Sequence, residues 1–256
     1  MSPHDGCCTD FRSPHRVGLS LHLKAMPAIE LLDNPIWNSL STAHRNFALG
    51  DELAKCYPPE VGPLSGLAEQ TAAAYEALRA TVAPCAIQVL FLEEPPEQRA
   101  GWTLIRGGLL SQMVYAGSRT LETEVPNPQM RRLTPSDVPA MVELARLTEP
   151  GPFRNRTHEL GAFFGIFAGS RLVAMAGQRT RFPGFVEVSA VCTHPDARGR
   201  GYARMLMSAV MEEIVRDGDT PFLHSFADNH AAIRVYEALG FVLRRHFHLA
   251  VLKNEA

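Results

Sequence analysis

The sequence predicts an α/β fold with a mixed (α+β-type) sheet, and three observations in its C-terminal half carry that expectation. Residues 162–168 and 172–181 are apolar strand-like runs on either side of Gly169-Ser170, a hairpin pattern. Residues 187–203 read EVSAVCTHPDARGRGYA, a strand that passes through a two-glycine turn into a helix. Leu206, Ala209, Val210 and Ile214 then recur at helical spacing across 202–216.

The elements follow in chain order. Residues 1–25, rich in His, Ser, Arg and Pro, lack the apolar core of a secretory signal and read as a disordered extension ahead of Met26. Residues 26–124 read as a smaller α/β N-terminal domain of unassigned role. Within it 64–82, rich in Ala, Leu and Glu, predicts a helix, and 86–92 (AIQVLFL) predicts a strand closed by the turn at 94–96. Residues 103–115 supply one or two further strands around Gly107-Gly108. His44, Arg45 and Asp51 read as a solvated face, and Trp37 and Trp102 as core or interface anchors. Residues 125–129 (VPNPQ) form a Pro-rich boundary.

Beyond it, 131–133 predicts a short strand and Ser136 a cap for a helix over 137–147. Residues 149–152 (EPGP) break that helix. After the hairpin come a strand at 185–193, the helix at 202–216, a strand at 222–226, a helix at 231–239 and a last strand at 242–252. The order βαββ-β-α-β-α-β makes residues 130–256 a compact α/β unit.

Composition narrows the function. The 256 residues are 46% hydrophobic and 20% charged, with a formal net charge of −2 and a pI near 6.6. A near-neutral chain disfavours nucleic acid as a partner, since phosphate backbones are bound by basic faces. No apolar stretch approaches the roughly 18 residues of a membrane span, so no membrane partner is expected. The five cysteines, Cys7, Cys8, Cys56, Cys85 and Cys192, are odd in number and form no CxxC pair. They point to no disulfide framework and no metal, and they suit a cytoplasmic location.

The turn at 198–203 (RGRGYA) has the chemistry of an anion site. The first amides of a helix lack intrahelical partners, and the helix dipole favours negative charge there. Gly199 and Gly201 let backbone approach a ligand, while Arg198, Arg200 and Arg204 add countercharge for a diphosphate. A dinucleotide fingerprint would need Gly at 204, where Arg stands, and a P-loop would need G-K-[ST], which is absent.

Arg198, Gly201 and Ala203 match Q/R-x-x-G-x-G/A, and Asn229, Ala232, Tyr236, Gly240 and Phe241 match N-x-x-A-x-x-x-Y-x-x-x-G-F. With both motifs in this order, residues 130–256 resemble the GNAT superfamily of CoA-dependent N-acetyltransferases. The whole chain looks closest to its glycine N-acyltransferase-like branch, in which a weaker half precedes the catalytic domain.

The resemblance implies acetyl-CoA as co-substrate, without a metal. It implies that the strand before the turn splays from its neighbour to admit the pantetheine arm. Val191, Cys192 and Thr193 would line that arm, with the Val191 N–H facing the thioester oxygen. Arg198, Gly199, Arg200, Gly201, Tyr202, Ala203 and Arg204 would hold the diphosphate, and Asn229 and Ala232 would contact the CoA arm. For Asn229 a helix N-cap is an equal reading.

The resemblance also implies two catalytic groups. Glu187, 11 residues before Arg198, stands where several members place a carboxylate base, and burial would raise its pKa. The other reading pairs it with Arg179 or Arg181. Tyr236 stands where the family places the acid that protonates the leaving thiolate; the other reading packs it in the core. Strand alternation sets Cys192 opposite Val191 and Thr193, as a buried inert thiol. The segment His194-Pro195-Asp196 reads as a turn, and His224, His246 and His248 as structural strand residues. Phe153, Arg154 and Arg156 lie in the loop where this fold builds its acceptor pocket, where they either bind a carboxylate-bearing amine or form a solvated basic loop.

The expected activity is transfer of an acyl group, acetyl being the expected one, from CoA to a small-molecule or amino-acid amine in a ternary complex. A CoA-binding sensor without turnover and a protein N-acetyltransferase are the alternatives. The N-terminal half is left as a degenerate copy of the same fold, a lid over the acceptor or a dimerisation surface for a homodimer.

Overall fold

The computed structural model describes residues 28–117 and 129–255. The leading segment 1–25 with Cys7 and Cys8, Met26, and positions 125–128 of the Pro-rich connector lie outside the described residues. The fold is the mixed α/β architecture expected.

The N-terminal half opens with the short helix α1 (Pro35–Ser41) and a small sheet of β1 (Leu49–Gly50), β2 (Ala54–Cys56) and β3 (Ser65–Leu67). The helix predicted over 64–82 is split: its first residues pair with β2, and only α2 (Ala72–Thr81) is helical. Thr71 explains the break, because its side chain accepts the Ala74 amide and starts the helix there. Strands β4 (Ile87–Leu92) and β5 (Trp102–Tyr115) follow, the latter one continuous strand through Gly107-Gly108. Trp102 is buried, with its indole N–H donating to the Tyr75 carbonyl at 3.1 Å. Trp37 is half-buried beneath the Lys55 ammonium.

The C-terminal half supplies β6 (Met130–Arg132), α3 (Val138–Thr148), β7 (Phe163–Ala168), β8 (Arg171–Phe182), β9 (Phe185–Thr193), α4 (Tyr202–Arg216), β10 (Thr220–Phe226), α5 (His230–Ala238) and β11 (Phe241–Asn254). The cap ahead of α3 is Thr134, not Ser136. Its amide donates to the Asp137 carboxylate in a capping box over the turn Pro135–Asp137, and Arg131 clamps that carboxylate. Glu149, at φ 48°, ends the helix as expected.

Eight strands form one sheet in the order β4-β11-β5-β10-β9-β8-β7-β6. Strand β5, from the N-terminal half, lies antiparallel between β10 and β11. The sheet is therefore continuous across the boundary expected at 125–129. One face is covered by α4, whose Leu206, Met207, Val210, Met211 and Ile214 pack on Val186, Val188 and Leu223. Each such side chain contributes about 1.5–3 kcal/mol on burial. The other face carries α3 on β7–β9 and the α1 region on β4, β5 and β11. Among the described residues no helix is long and apolar enough to cross a membrane.

Candidate active site

The site begins where two strands part. The parallel ladder between β9 and β10 ends at Glu187↔Phe222. Past that rung β9 stays on β8 as far as Thr193↔Ala174, while β10 stays on β5 as far as Phe226↔Leu110. The facing edges of β9 and β10 thus open into a wedge. A bulge sharpens it: Ser189 faces Gly177 and Cys192 faces Met175, so Ala190 and Val191 share one place in the register. Ala190 takes φ 53°, a left-handed conformation costly for a residue with a Cβ. Val191 leans on the α4-side core, and Cys192 is buried on the α3 side. Burial pushes the Cys192 thiol up to about 11, against hydrogen bonds that lower it, which leaves an inert group.

Below the wedge, His194 turns the chain by accepting the Asp196 amide, and the 198–201 turn leads into α4. Gly199 and Gly201 both have φ 75°, and a Cβ on either would meet no protein atom within 4 Å. Glycine is needed there for its backbone conformation rather than for close packing. No side chain caps α4, so the amides of Tyr202 and Ala203 face outward at its positive end. Arg198, Arg200 and Arg204 are exposed around this turn; Arg198 and Arg200 make only 3.4 Å contacts to the Thr193 and Asp196 carbonyls. Asn229 caps α5 by accepting the Ala232 amide at 3.2 Å. Tyr236, on α5, packs edge-on to Phe241, and its phenol meets Ser225 of β10. Burial raises its pKa, outweighing the Ser225 hydrogen bond, so the phenol keeps its proton.

Across the sheet the chemistry is different. Glu187 is wholly buried and accepts four hydrogen bonds. Arg179 donates Nε at 2.9 Å and Nη2 at 2.6 Å, Thr180 donates Oγ1 at 2.7 Å, and His224 donates Nδ1 at 2.7 Å. Burial alone would raise the carboxyl's pKa, which is what the sequence led us to expect. The Arg179 charge and the His224 hydrogen bond overcome burial, and the pKa falls well below the carboxylate range. The pairing with Arg179 is thus the arrangement present. Arg181 instead reaches Asp219 and Gln178. A second bulge brings Arg179 and Thr180 together opposite Glu187, between Gln178↔Val188 and Arg181↔Val186. His224 is held neutral by burial, which outweighs Glu187. Its Nε2 meets Gln112 at 3.2 Å, and Gln112 in turn accepts from Arg244, which is paired with Asp33.

A cleft opens beside this cluster, between the 150–153 loop and Gln178, Arg179, Ser189 and Ala190. Of the three loop residues singled out in the sequence, Phe153 lines the cleft, edge-on to Phe163 at 5.7 Å. Arg156 is turned onto Glu159 through two bonds of 2.9 and 2.8 Å, and Arg154 reaches the Phe153 carbonyl. The N-terminal half backs this loop: the Arg156 amide donates to the Glu60 carbonyl and Thr157 Oγ1 to the Val61 carbonyl. Ser39 Oγ accepts the Arg181 amide at 3.1 Å and meets both His44 and Tyr57 at 3.0 Å.

His44 therefore corrects an expectation. Arg45 and Asp51 are exposed as anticipated, but His44 is buried and its pKa falls to about 4, chiefly through desolvation. Its partners Ser39 and Tyr57, like Gln178 and Arg179 at the cleft, were not candidates in the sequence beyond the Arg179 pairing. Bulges and long-range contacts bring them in, and neither leaves a local pattern. Among the described residues no cluster of His, Cys, Asp or Glu suits a metal ion.

A family model described as FR47-like protein matches residues 163–249. A putative acetyltransferase from the GNAT family of Novosphingobium aromaticivorans is 35% identical, with a TM-score of 0.81 over 88% of this chain and 99% of that one. A GCN5-related N-acetyltransferase from Kribbella flavida shares the fold at 16% identity and a TM-score of 0.58, over 86% of this chain and 94% of that one. A tandem GNAT protein from the clavulanic acid biosynthesis pathway does so at 16% identity and a TM-score of 0.51, over 79% of each chain. No curated protein matches.

Proposed function

This chain belongs to the GNAT family of N-acetyltransferases, and from that premise we propose that it transfers an acetyl group from acetyl-CoA to the amine of a small molecule or amino acid within a ternary complex. The observation that carries the reading is the wedge past Glu187↔Phe222, which opens onto the uncapped amino end of α4. Acetyl-CoA fits this ground: unpaired strand edges suit an extended amide-bearing arm, and outward amides beside Gly199 and Gly201 suit a diphosphate. It supplies an activated acyl thioester.

The chain's own groups divide the work by face. Val191 offers a backbone N–H beside the bulge for the oxygen on which charge develops. Thr193 and Val191 pair with the arm, and residues 198–204 hold its phosphates. The Tyr236 phenol, protonated and set between Ser225 and Phe241, gives its proton to the departing sulfur as the C–S bond breaks, and the proton lost by the attacking neutral amine as the C–N bond forms returns to it through solvent water. Glu187, saturated by four donors, fixes Arg179 and His224 rather than meeting the amine. Asn229 contributes the cap of α5, which holds Tyr236 in line. The N-terminal half walls the acceptor side.

The test mixes the protein with acetyl-CoA and a panel of amines, reading free thiol and acetylated product. Amine-dependent thiol release, sharply reduced in Tyr236→Phe, is the expected result. The saturation of Glu187 is the one observation that favours a CoA-binding module without turnover. CoA binding with no product from any amine would establish that alternative.

A further inference from the structure

Two groups beside the cleft have the chemistry to take a proton from an incoming ammonium, and both are already committed. Glu187 accepts two bonds from Arg179, one from Thr180 and one from His224, which fills the lone pairs of a carboxylate. His224 donates its Nδ1 proton to Glu187, and its Nε2 lone pair accepts the Gln112 amide at 3.2 Å. Neither keeps a free lone pair for an amine proton.

The cleft itself adds no base. Among the described residues lining it there is no Asp, Glu, His or Lys; Arg179 is its charged member and Ser189 a half-buried hydroxyl. Around it, Glu159 is held by Arg156, His158 meets the Asn155 carbonyl, and Glu149 is exposed at the end of α3. From the N-terminal half Tyr57, whose pKa burial raises, meets Ser39 and His44. Phe153, Phe163 and the prolines at 150 and 152 make the remaining wall apolar. An ammonium there would lose its water and face a guanidinium, with no carboxylate to receive it. The neutral amine suffers neither penalty.

Resting on the transferase reading above, we propose that the acceptor enters as the free base and that the cleft thereby selects weakly basic amines. An α-amino group beside an amide, as in an amino-acid amide, belongs to that class; a lysine-type amine or a polyamine does not. The step balances with the groups present. The nitrogen lone pair forms the C–N bond, and the C–S pair leaves with sulfur. Sulfur takes the Tyr236 proton, and the surplus proton on nitrogen passes to water, which restores the phenol. The proton that an ammonium carries in solution stays in bulk water before entry.

The experiment measures kcat/KM of the unaltered protein with acetyl-CoA across about pH 6.5 to 9.5, above the range in which Glu187 and His44 take up protons. The acceptors are leucinamide against 3-methylbutylamine, and 2,2-difluoroethylamine against ethylamine, each corrected for uncatalysed aminolysis. At pH 7 about one in ten α-amino groups beside an amide is neutral, against about one in 2,500 lysine-type amines, from pKa values of about 8 and 10.4. The greater nucleophilicity of the stronger base offsets part of that ratio. Leucinamide should therefore lead 3-methylbutylamine by about tenfold or more at pH 7. For 3-methylbutylamine kcat/KM should climb about tenfold per pH unit, and for leucinamide it should level off near pH 8. The fluorinated amine, which is weakly basic without a carbonyl, should likewise lead ethylamine at pH 7 and lose that lead as pH rises. A profile that is flat below the amine's pKa and falls above it requires an enzyme base acting on an ammonium. That result, equal rates for leucinamide and 3-methylbutylamine at pH 7, or a lead for leucinamide with none for 2,2-difluoroethylamine, overturns the inference and leaves the transferase standing. CoA binding with no amine acetylated at any pH removes the transferase reading and this inference with it.

Discussion

On the α4 side of the wedge the proposed donor site is made mainly of backbone: two glycines at φ 75°, an uncapped helix end and the open edge of β9. On the α3 side the proposed acceptor site is made of side chains in contact over long sequence distances. Arg179 grips Glu187, His224 reaches from β10, and the Ser39–His44–Tyr57 knot holds the Arg181 amide. A backbone cradle tolerates side-chain change and needs only local sequence to specify it. A side-chain cluster of buried ions fails as a unit, because removing one partner strands the other. The contrast suggests that the donor site is generic and that selectivity resides in the acceptor site.

Four tests sharpen or break the contrast, from the largest effect down. Arg179→Met should destabilise the protein by about 3–5 kcal/mol in urea unfolding, since it leaves Glu187 charged and buried. An effect under about 1 kcal/mol, the range of an exposed pair, would show that the cluster is not the keystone of this face.

Acidification should act on the same face in two steps. His44 has a folded pKa of about 4 against an ordinary 6.5, so the unfolded chain takes up the proton first. Its contribution, on the order of 3 kcal/mol, is complete above pH 6.5 and is lost as pH falls toward 4. Glu187 is also depressed, so its contribution is present above about pH 4.5 and is lost below it. Urea midpoints measured from pH 7 to 3.5 should fall, and His44→Gln should flatten the upper step.

On the donor side, Tyr236→Phe should cut kcat by about 10²-fold, the low end of general-acid contributions, with unchanged CoA affinity in calorimetry. Equal activity would return Tyr236 to a packing role. Gly201→Ala should weaken CoA binding and stability together by only about 1–2 kcal/mol, the cost of a Cβ in the left-handed region.

These differences also explain what the sequence revealed. The helix over 202–216 and the strand over 185–193 match α4 and β9 to the residue, because periodicity and the glycine turn are local signals. Asn229 was legible as a cap for the same reason. The insertion of β5 between β10 and β11 joins residues more than a hundred positions apart, and nothing in either stretch announces its neighbour. His44 looked solvated because its polarity is visible and its partners Ser39 and Tyr57 are not. The Glu187 pKa moved opposite to expectation because burial was foreseen while the bulge that delivers both Arg179 and Thr180 was not. The 64–82 stretch had helical composition throughout, but pairing with β2 claimed its first residues.

Hydrogen exchange read by mass spectrometry tests the two-sided account most directly. Adding CoA should slow exchange at 188–193 and 199–205 and leave 150–157 and 178–181 unchanged. Adding an acetylated amino-acid product should then slow exchange in those latter segments. Protection by CoA spread over 150–157 and the N-terminal half, or absent from 199–205, would contradict the division of the wedge into donor and acceptor faces.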